Sequence, residues 1–506
     1  MVVVQRRVTT RRTFLKGIAA LSAGATAGAL LAACGGSSAT DTPKAASGAT
    51  TAPVGATSAP ATSAAPSAPA SATTAPAASA TSGTTGAASP AASAAVAKSF
   101  SGKLSVWGNV SFTKEGDNLL GQQMQEWGKA NNVAVEYTAT GTGYSAKIAS
   151  SIETGSSPDV VMMTGTDTIF YAAQNRLVDL TETYTKLKGL AGGMYEALLP
   201  YVQTDGKVYA IPMQADLLVM YARLDLIEKA TGKRTVPATF DELDTIARKV
   251  NAPPNLYGLG MVLGRTNDAR DGITALLRND GGTLVDKDGK PAINNDGTIG
   301  ALTRVQTWWK DKLIPPDSPS WDDSGNNNSY QSKQSAFVLN QASIFAFLDK
   351  NDKELLMNTQ QATVPKGKAG SFQRVGTWSW AVFSSSKQVE AGKAMIEAIM
   401  QPDKLEAVYE QVGGRWYPVY KDLANAPFWK QRPYFDLFPT AIQSATPVWS
   451  PAPATATLLT QLSAVDQKLI LAEMVQDVIV SGKSPQDAAK SAQTKMEQAF
   501  AEAAKK

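Results

Sequence analysis

An α/β fold in two lobes is what this sequence predicts, on three observations. Short apolar strands alternate with helical segments from residue 103 onward, the order that gives a parallel sheet flanked by helices. The 408 residues from 99 to 506 are too many for one ordinary core. The stretch before them, 35–98, is almost wholly Ala, Ser, Thr, Pro and Gly, with no aromatic residue. It buries no core and is expected to be a disordered linker.

The elements follow in order. Residues 103–107, Lys103-Leu104-Ser105-Val106-Trp107, read as the first strand, 118–129 as a helix and 133–137 as a second strand. A helix over 144–153, a strand over 159–163 and a helix over 168–175 complete the opening pattern. Ligands of such sheets bind beyond the carboxyl ends of the strands, so the loops after Trp107 and Met163 are the first places for a site. Further on, 240–250 is a helix with Thr239 as N-cap and Glu242 in its first turn. Segments 272–279 and 300–312 are two more helices, and 281–290 between them is a hairpin around an Asp-Gly turn. Its Asp286-Lys287-Asp288-Gly289 is similar to the start of a calcium loop but lacks the remaining ligands and the distal Glu. No metal is expected there. Residues 463–503 are helical, with a break near 482–485.

The N-terminal end is an address. Thr10-Arg11-Arg12-Thr13-Phe14-Leu15-Lys16 has the form of a twin-arginine export signal, followed by a mild apolar run over 17–33. That run ends in Leu31-Ala32-Ala33-Cys34, similar to the lipobox of bacterial lipoproteins. Small residues let the backbone enter a peptidase site, and the thiol carries the lipid. Residues 1–34 are therefore set aside as a signal peptide, and 35–98 become a tether from membrane to domain. As a flexible coil of about 60 residues it would span roughly 40–45 Å. Cys34 is the chain's single cysteine and there is no histidine. Disulfides, His-based triads and His-dependent zinc sites are excluded. The first 98 residues hold seven Lys or Arg and one acidic residue, which leaves 41 basic and 43 acidic in the remainder. A domain at net −2 gives no reason to propose nucleic acid as a partner. No phosphate loop or dinucleotide fingerprint is present and no cofactor is expected.

Several segments together resemble the extracellular solute-binding proteins of the maltose-binding type, over essentially all of 103–506. They are Thr154-Gly155-Ser156-Ser157-Pro158-Asp159-Val160-Val161, Asp205-Gly206-Lys207-Val208-Tyr209-Ala210-Ile211-Pro212, and the stretch 216–226 with Tyr221-Ala222-Arg223-Leu224-Asp225-Leu226. The region 235–243, the Gly281-Gly282 turn, Ala336-Phe337-Val338-Leu339-Asn340 and Gly376-Thr377-Trp378-Ser379-Trp380 also fit, in the right order. The resemblance implies a two-lobed periplasmic-binding-protein-like α/β fold with crossover hinge segments, closing on its ligand. By it, one lobe would hold 103–221 and 362–401, the other 222–361 and 402–506. It also implies a monomeric, lipid-anchored protein on the outer face of the cell membrane. Such a protein carries a small polar ligand, a sugar foremost, to ABC permease subunits and catalyses nothing.

A sugar needs aromatic plates for its C–H faces and carboxylates, amides or Arg for its hydroxyls. Trp107 and Asn109 at the end of the first strand, Asp167 in the loop after the third, and Asp216 at the crossover are the positions family placement favours. For Asp167 an N-cap role is the alternative. Trp321 and Asp322 offer a plate and an acceptor, or a solvated loop. Trp378 and Trp380, two apart on a strand and so on one face, and Arg415 and Trp416 after two glycines, offer either a site or packing. After Asn340, where many sugar binders read Gly-Pro-Trp, the chain has Gln341-Ala342-Ser343, so that plate is missing. Two other readings stay open: the same fold binding a non-sugar solute or serving a sensory role, and a glycoside hydrolase using carboxylates such as Asp322.

Overall fold

The computed structural model describes residues 100–504, apart from 112 and 142. The export signal, Cys34 and the linker expected over 35–98 lie outside the described residues. The described residues form a single compact unit.

The opening segment folds as the alternation predicts. Strand β1 (Gly102–Asn109), helix α1 (Lys114–Ala130), strand β2 (Val133–Thr140), helix α2 (Tyr144–Thr154), strand β3 (Val160–Thr164) and helix α3 (Gly165–Ala173) follow in order. Strands β1, β2 and β3 pair in parallel. Two later strands, β4 (Ile211–Leu217) and the one at Val375–Val382, complete a five-stranded sheet. The chain then leaves it through Leu218 for β5 (Val219–Arg223).

The second sheet is shorter. After α4 (Phe240–Val250) come β6 (Tyr257–Leu259), α5 (Asn267–Asn279) and α6 (Asp296–Lys310). Strands β7 (Ser335–Asn340) and β8 (Thr359–Ala362) follow, and the sheet order is β8-β5-β7-β6. Helix α4 has the expected capping box: Thr239 accepts from Glu242 N–H while the Glu242 carboxylate accepts from Thr239 N–H. Such a cap contributes about 1 kcal/mol. The expected hairpin over 281–290 is a turn closed by a single bridge, Val285 to Pro291. There Asp286 Oδ1 accepts from the backbone N–H of Asp288 at 2.9 Å and of Lys290 at 3.0 Å. Its carboxylate closes the turn, and Gly289 at φ +77° lets the chain reverse.

The chain returns to the first sheet through Gln373 and Arg374 into β9 (Val375–Val382), which runs antiparallel to both β3 and β4. Helix α7 (Pro402–Gln411) follows, and α8 (Ala456–Gln467), α9 (Ile470–Ile479) and α10 (Pro485–Ala503) end the chain. The crossovers touch one another. Leu218 N–H donates to the Arg374 carbonyl at 3.3 Å, Gln373 donates through its side chain to the Leu218 carbonyl, and Thr446 N–H donates to the Gln373 carbonyl at 3.4 Å.

Two large cores underlie the sheets, the first also taking in Tyr221, Val338 and Phe345 from the second sheet and the helix after it. Leu104, Val106, Met162, Met213 and Trp380 belong to the first, and Met220, Phe240, Leu276, Phe337 and Val475 to the second. The expected lobe boundaries shift accordingly. The first crossover is Leu218, since Val219–Arg223 already pairs in the second sheet. The return is at 373–374. Of the stretch 402–506 expected in the second lobe, helix α7, with Leu405, Val408 and Tyr409, packs on α1, and Phe438 and Ile442 pack beside β4. The Tyr409 hydroxyl, donating to the Met213 carbonyl at 2.6 Å, fastens this segment to β4. Its apolar side chains cover the edge of the first sheet, and α8 to α10 cover the second.

Candidate functional site

The first cluster sits where the expectation put it, at the carboxyl ends of β1 and β3. Trp107 and Asn109 are both half-buried. The Tyr144 hydroxyl donates to the Trp107 carbonyl at 2.9 Å, and Lys147 Nζ lies 4.1 Å from the Trp107 ring centre. The rings of Tyr144 and Trp378 are 6.1 Å apart. Burial pushes the Tyr144 phenol far above its usual range, so it stays a neutral donor. Trp107, Tyr144 and Trp378 thus form one aromatic corner.

Asp167 stands beside this corner, inside the first turn of α3 and not in a loop. The N-cap is Thr164, whose hydroxyl accepts from Asp167 N–H at 3.1 Å. The Asp167 carboxylate accepts from Thr164 Oγ1 at 3.0 Å and from Ser145 Oγ at 3.2 Å. Burial raises its pKa even so. Thr preceding the first helical residue was the available signal, since β-strand ends in Thr-Gly favour a cap at the Thr.

The second cluster is a charged wall. Asp216 on β4 pairs directly with Gly376 on β9. Burial raises the Asp216 pKa, against the pull of Arg374 and Arg415. Arg415 is half-buried, and burial lowers its pKa to about 10, opposed by Asp216 and Asp268. From the other lobe, α5 brings Arg270 and Asp271, joined through Nε and Oδ1 at 2.9 Å. Asp271 also takes Arg374 Nε at 3.1 Å. Arg270 reaches Asp466 on α8 at 3.5 Å, and Thr166 Oγ1 donates to the same Asp466 carboxylate at 3.2 Å. Ser463 Oγ donates to the Thr166 carbonyl at 2.9 Å. Through these contacts α3, an element of the first lobe, is joined to α8, and Ile169 on α3 packs into the second core. Next along α5, Asp268 accepts from Asn326 at 3.0 Å, and Asp268 N–H donates to Asp323 at 3.0 Å.

Other candidates fall elsewhere. Trp380 is fully buried in the first core, with its indole N–H on Met213 sulfur at 3.0 Å. Trp416 is 2% exposed in the same core. Neither ring presents a face to a ligand, so both are corrected to packing residues. The expectation that Trp378 and Trp380 act alike fails: pairing with β4 shifts register between Trp378 and Ser379, and only Trp378 is half-exposed. Trp321 is half-buried on Val262, Ala269 and Ala472. Asp322 is exposed and closes its own turn, accepting from Ser324 N–H at 2.9 Å and Ser324 Oγ at 2.6 Å. Those bonds hold its pKa below the usual carboxylate value. At the missing plate, Ala342 is buried and Ser343 Oγ accepts from Asn327 at 3.0 Å.

Sequence reasoning missed Arg270, Asp271, Arg374, Asp466, Tyr201 and Trp449. The rings of Tyr201 and Trp449 meet edge to face at 5.3 Å and wall a cavity of about 40 Å³ together with Thr166, Ser463 and Asp466. Trp449 lies in a Pro-bounded loop, Pro447-Val448-Trp449-Ser450-Pro451, where no periodicity assigns a face. Arg270 and Asp271 read as ordinary members of a helix. Among the described residues, no group of three or more Cys, Asp or Glu side chains is arranged to hold a metal, and no helix is long and apolar enough to cross a membrane.

Comparison with known proteins follows from this geometry. Residues 122–436, more than half of the chain, match the family described as bacterial extracellular solute-binding protein. A probable ABC transporter-binding protein of Deinococcus radiodurans is 28% identical over 267 residues, 49% of this chain and 61% of the relative. The maltodextrin-binding protein MdxE of Bacillus subtilis is 24% identical over 269 residues, 51% of this chain and 60% of the relative. The chain thus spans about three-fifths of the length of these two relatives. Among solved structures, maltose-bound MalE3 of T. maritima superposes with a TM-score of 0.68 at 20% identity, covering 78% of this chain and 99% of that one. A sugar transporter protein of Arthrobacter chlorophenolicus with bound laminaribiose gives 0.69 at 18%, covering 78% and 99%. At these identities the likeness establishes the two-lobed fold.

Proposed function

Because the chain belongs to the bacterial extracellular solute-binding protein family, we propose that it captures a carbohydrate between its lobes and delivers it to the permease subunits of an ABC importer. The observation that carries the carbohydrate assignment is the pairing of surfaces at one cleft. Trp107 and Trp378, with Tyr144 buried behind them, supply ring faces for sugar C–H groups, and Asp167, Asp216, Arg270 and Arg374 supply donors and acceptors for hydroxyls. Asn109, Trp321 and Arg415 are proposed to line the same cleft. Named relatives that bind maltodextrin, and fold neighbours holding maltose and laminaribiose, support the reading. The relatives are transporter-binding proteins, not enzymes, in keeping with capture without catalysis.

Export through the twin-arginine signal, acylation of Cys34 and residence as a monomer on the outer face of the membrane complete the proposal. Cys34→Ser should move the protein from the membrane fraction to the medium; continued membrane retention would remove the lipid anchor from the account.

The ligand class is tested by a thermal-shift screen of residues 99–506 against mono- and oligosaccharides, polyols, amino acids, peptides and polyamines. A specific ligand at 100 times its Kd adds about 2.7 kcal/mol of stability. The expected hits are sugars. Hits confined to amino acids, peptides or polyamines would keep solute capture and overturn the carbohydrate assignment.

A further inference from the structure

Helix α3 follows β3 directly and buries Tyr171 and Ala172 against the first sheet. Ile169 on the same helix is turned the other way. It is 3% exposed and lies in the second core with Leu458, Leu459 and Leu462 of α8. Beside it, Ser463 Oγ donates to the Thr166 carbonyl at 2.9 Å, and Thr166 Oγ1 donates to Asp466 at 3.2 Å. Thr166 and Ile169 are three apart, and Leu462, Ser463 and Asp466 stand three, four and seven beyond Leu459, so each helix presents one face to the other. An element of one lobe is thus packed on an element of the other, in a contact made wholly by the chain's own groups.

The contact runs from the pivot to the site. At the pivot end, Tyr201 of the first lobe meets Trp449 edge to face at 5.3 Å, three residues beyond the crossover bond of Thr446 to Gln373. At the site end, Asp466 holds Arg270 at 3.5 Å, and Thr166 is next in the chain to Asp167. A swing about the crossovers that opens the site therefore draws α3 away from α8. It takes Ile169 out of the second core into water and parts the bonds of Ser463 and Asp466 to Thr166. Withdrawing one buried isoleucine shifts the equilibrium by a factor on the order of 10 to 100 towards the closed arrangement, before any ligand is present.

We propose that the α3–α8 contact is a ligand-independent lock: the unliganded protein rests with its lobes together, and ligand enters through a minor open arrangement. The ligand then does not cause closure; it holds an arrangement that the chain already prefers. Association is slow, because only the open minority admits ligand and the rate scales with that minority. Weakening the lock speeds both association and release. Damage to a ligand-contacting residue speeds release alone. The inference concerns the regulation of the site proposed above and rests on the carbohydrate reading only for its choice of probe.

The experiment compares the wild type, Ile169→Asp and Ser463→Ala over residues 99–506, which contain every element of both cores. Circular dichroism checks that each variant folds, and Ile169→Ala replaces Ile169→Asp if the carboxylate prevents folding. Small-angle scattering gives the radius of gyration with and without ligand, and stopped-flow fluorescence gives the association rate. The probes are maltose, laminaribiose and mannitol, with the best of the three for the wild type used throughout. The expected result is one radius for the wild type with or without ligand. Ile169→Asp should be larger without ligand and shrink to the wild-type radius when ligand is added. Its association should be about 10-fold faster, and that of Ser463→Ala faster by a smaller factor. A ligand-free wild type already larger than its liganded form overturns the lock. An unchanged ligand-free radius in Ile169→Asp, with unchanged association rates, overturns it as well. If the wild type binds none of the probes, the sugar reading fails by itself. The ligand-free radii then still decide the lock, upheld by expansion in Ile169→Asp and overturned by equal radii.

Discussion

The aromatic corner and the charged wall, proposed above as parts of one ligand site, are built by different means. The corner draws on the end of β1 and the first turns of α2 and α3, Trp107, Tyr144 and Asp167, with Trp378 added from the neighbouring strand β9. Its side chains are fixed mostly by uncharged contacts, a tyrosine hydroxyl on a carbonyl, ring on ring and a threonine cap, with Lys147 over the Trp107 ring. The wall gathers Asp216, Arg270, Asp271, Arg374 and Asp466 from four separated segments, and ion pairs fix it. A corner of this kind forms as the first sheet forms. A wall of this kind exists only once both lobes and the crossovers are in place. The first lobe therefore offers a surface of its own, while the wall joins elements of both lobes.

The largest expected effect sharpens the corner by separating it from the core beneath. Trp380→Ala removes a fully buried ring bonded to Met213 and should cost about 4 kcal/mol in denaturant unfolding. Trp378→Ala, two residues away and partly exposed, should cost less, about 2–3 kcal/mol of stability, but weaken sugar binding by tenfold or more if the ring is a plate. Equal stability losses with unchanged binding would dissolve the distinction between corner and core.

What was legible follows the same division. Strand–helix alternation and the Asp-Gly-Lys and Gly-Thr-Trp-Ser-Trp segments located both sheets, because burial on a strand leaves a local pattern. The end of β1 was expected to line the site from its position alone, and the structure sets Tyr144 and Lys147 against it. Trp380 and Trp416 were misjudged because aromatic identity does not say which way a ring turns, and a register shift at Trp378 breaks the simple alternation. Asp322 was misjudged because a turn-closing carboxylate and a ligand-binding one look alike in sequence. The wall was invisible because Arg270 meets Asp466 only in space, 196 positions along the chain. The place of 402–443 escaped for a related reason: its apolar residues signal burial but not the sheet they cover.

The wall itself is broken by Asp271→Ala. Its carboxylate, 5% exposed, holds Arg270 and Arg374, which are 13% and 17% exposed. Removing one partner of such a buried set leaves guanidinium charge uncompensated, at a cost of about 3 kcal/mol. Arg270 keeps Asp466, so the loss should stay below that of Trp380→Ala. A loss under about 0.5 kcal/mol, the size typical of an exposed pair, would show that solvent reaches the wall and that the lobes are not joined through it.

The smallest effect concerns Asp216 and carries the most information about purpose. Burial raises its pKa above the usual carboxylate value, and Arg374 and Arg415 only partly offset this. A raised folded-state pKa means that the folded protein binds the proton more tightly than the unfolded chain. In the window between the two values stability therefore increases as pH falls, and above the folded-state value the ionised group is a constant burden on the fold. Asp216→Asn should accordingly raise the melting temperature at pH 7 slightly, and the advantage should shrink as pH falls through the folded-state pKa. Binding should move the other way, because the amide no longer accepts from hydroxyls through two charged oxygens. A melting temperature that falls at pH 7, with binding retained, would mean that Asp216 serves the packing of the wall. A rise in stability with a loss of affinity would mark it as a carboxylate held at a cost for its ligand.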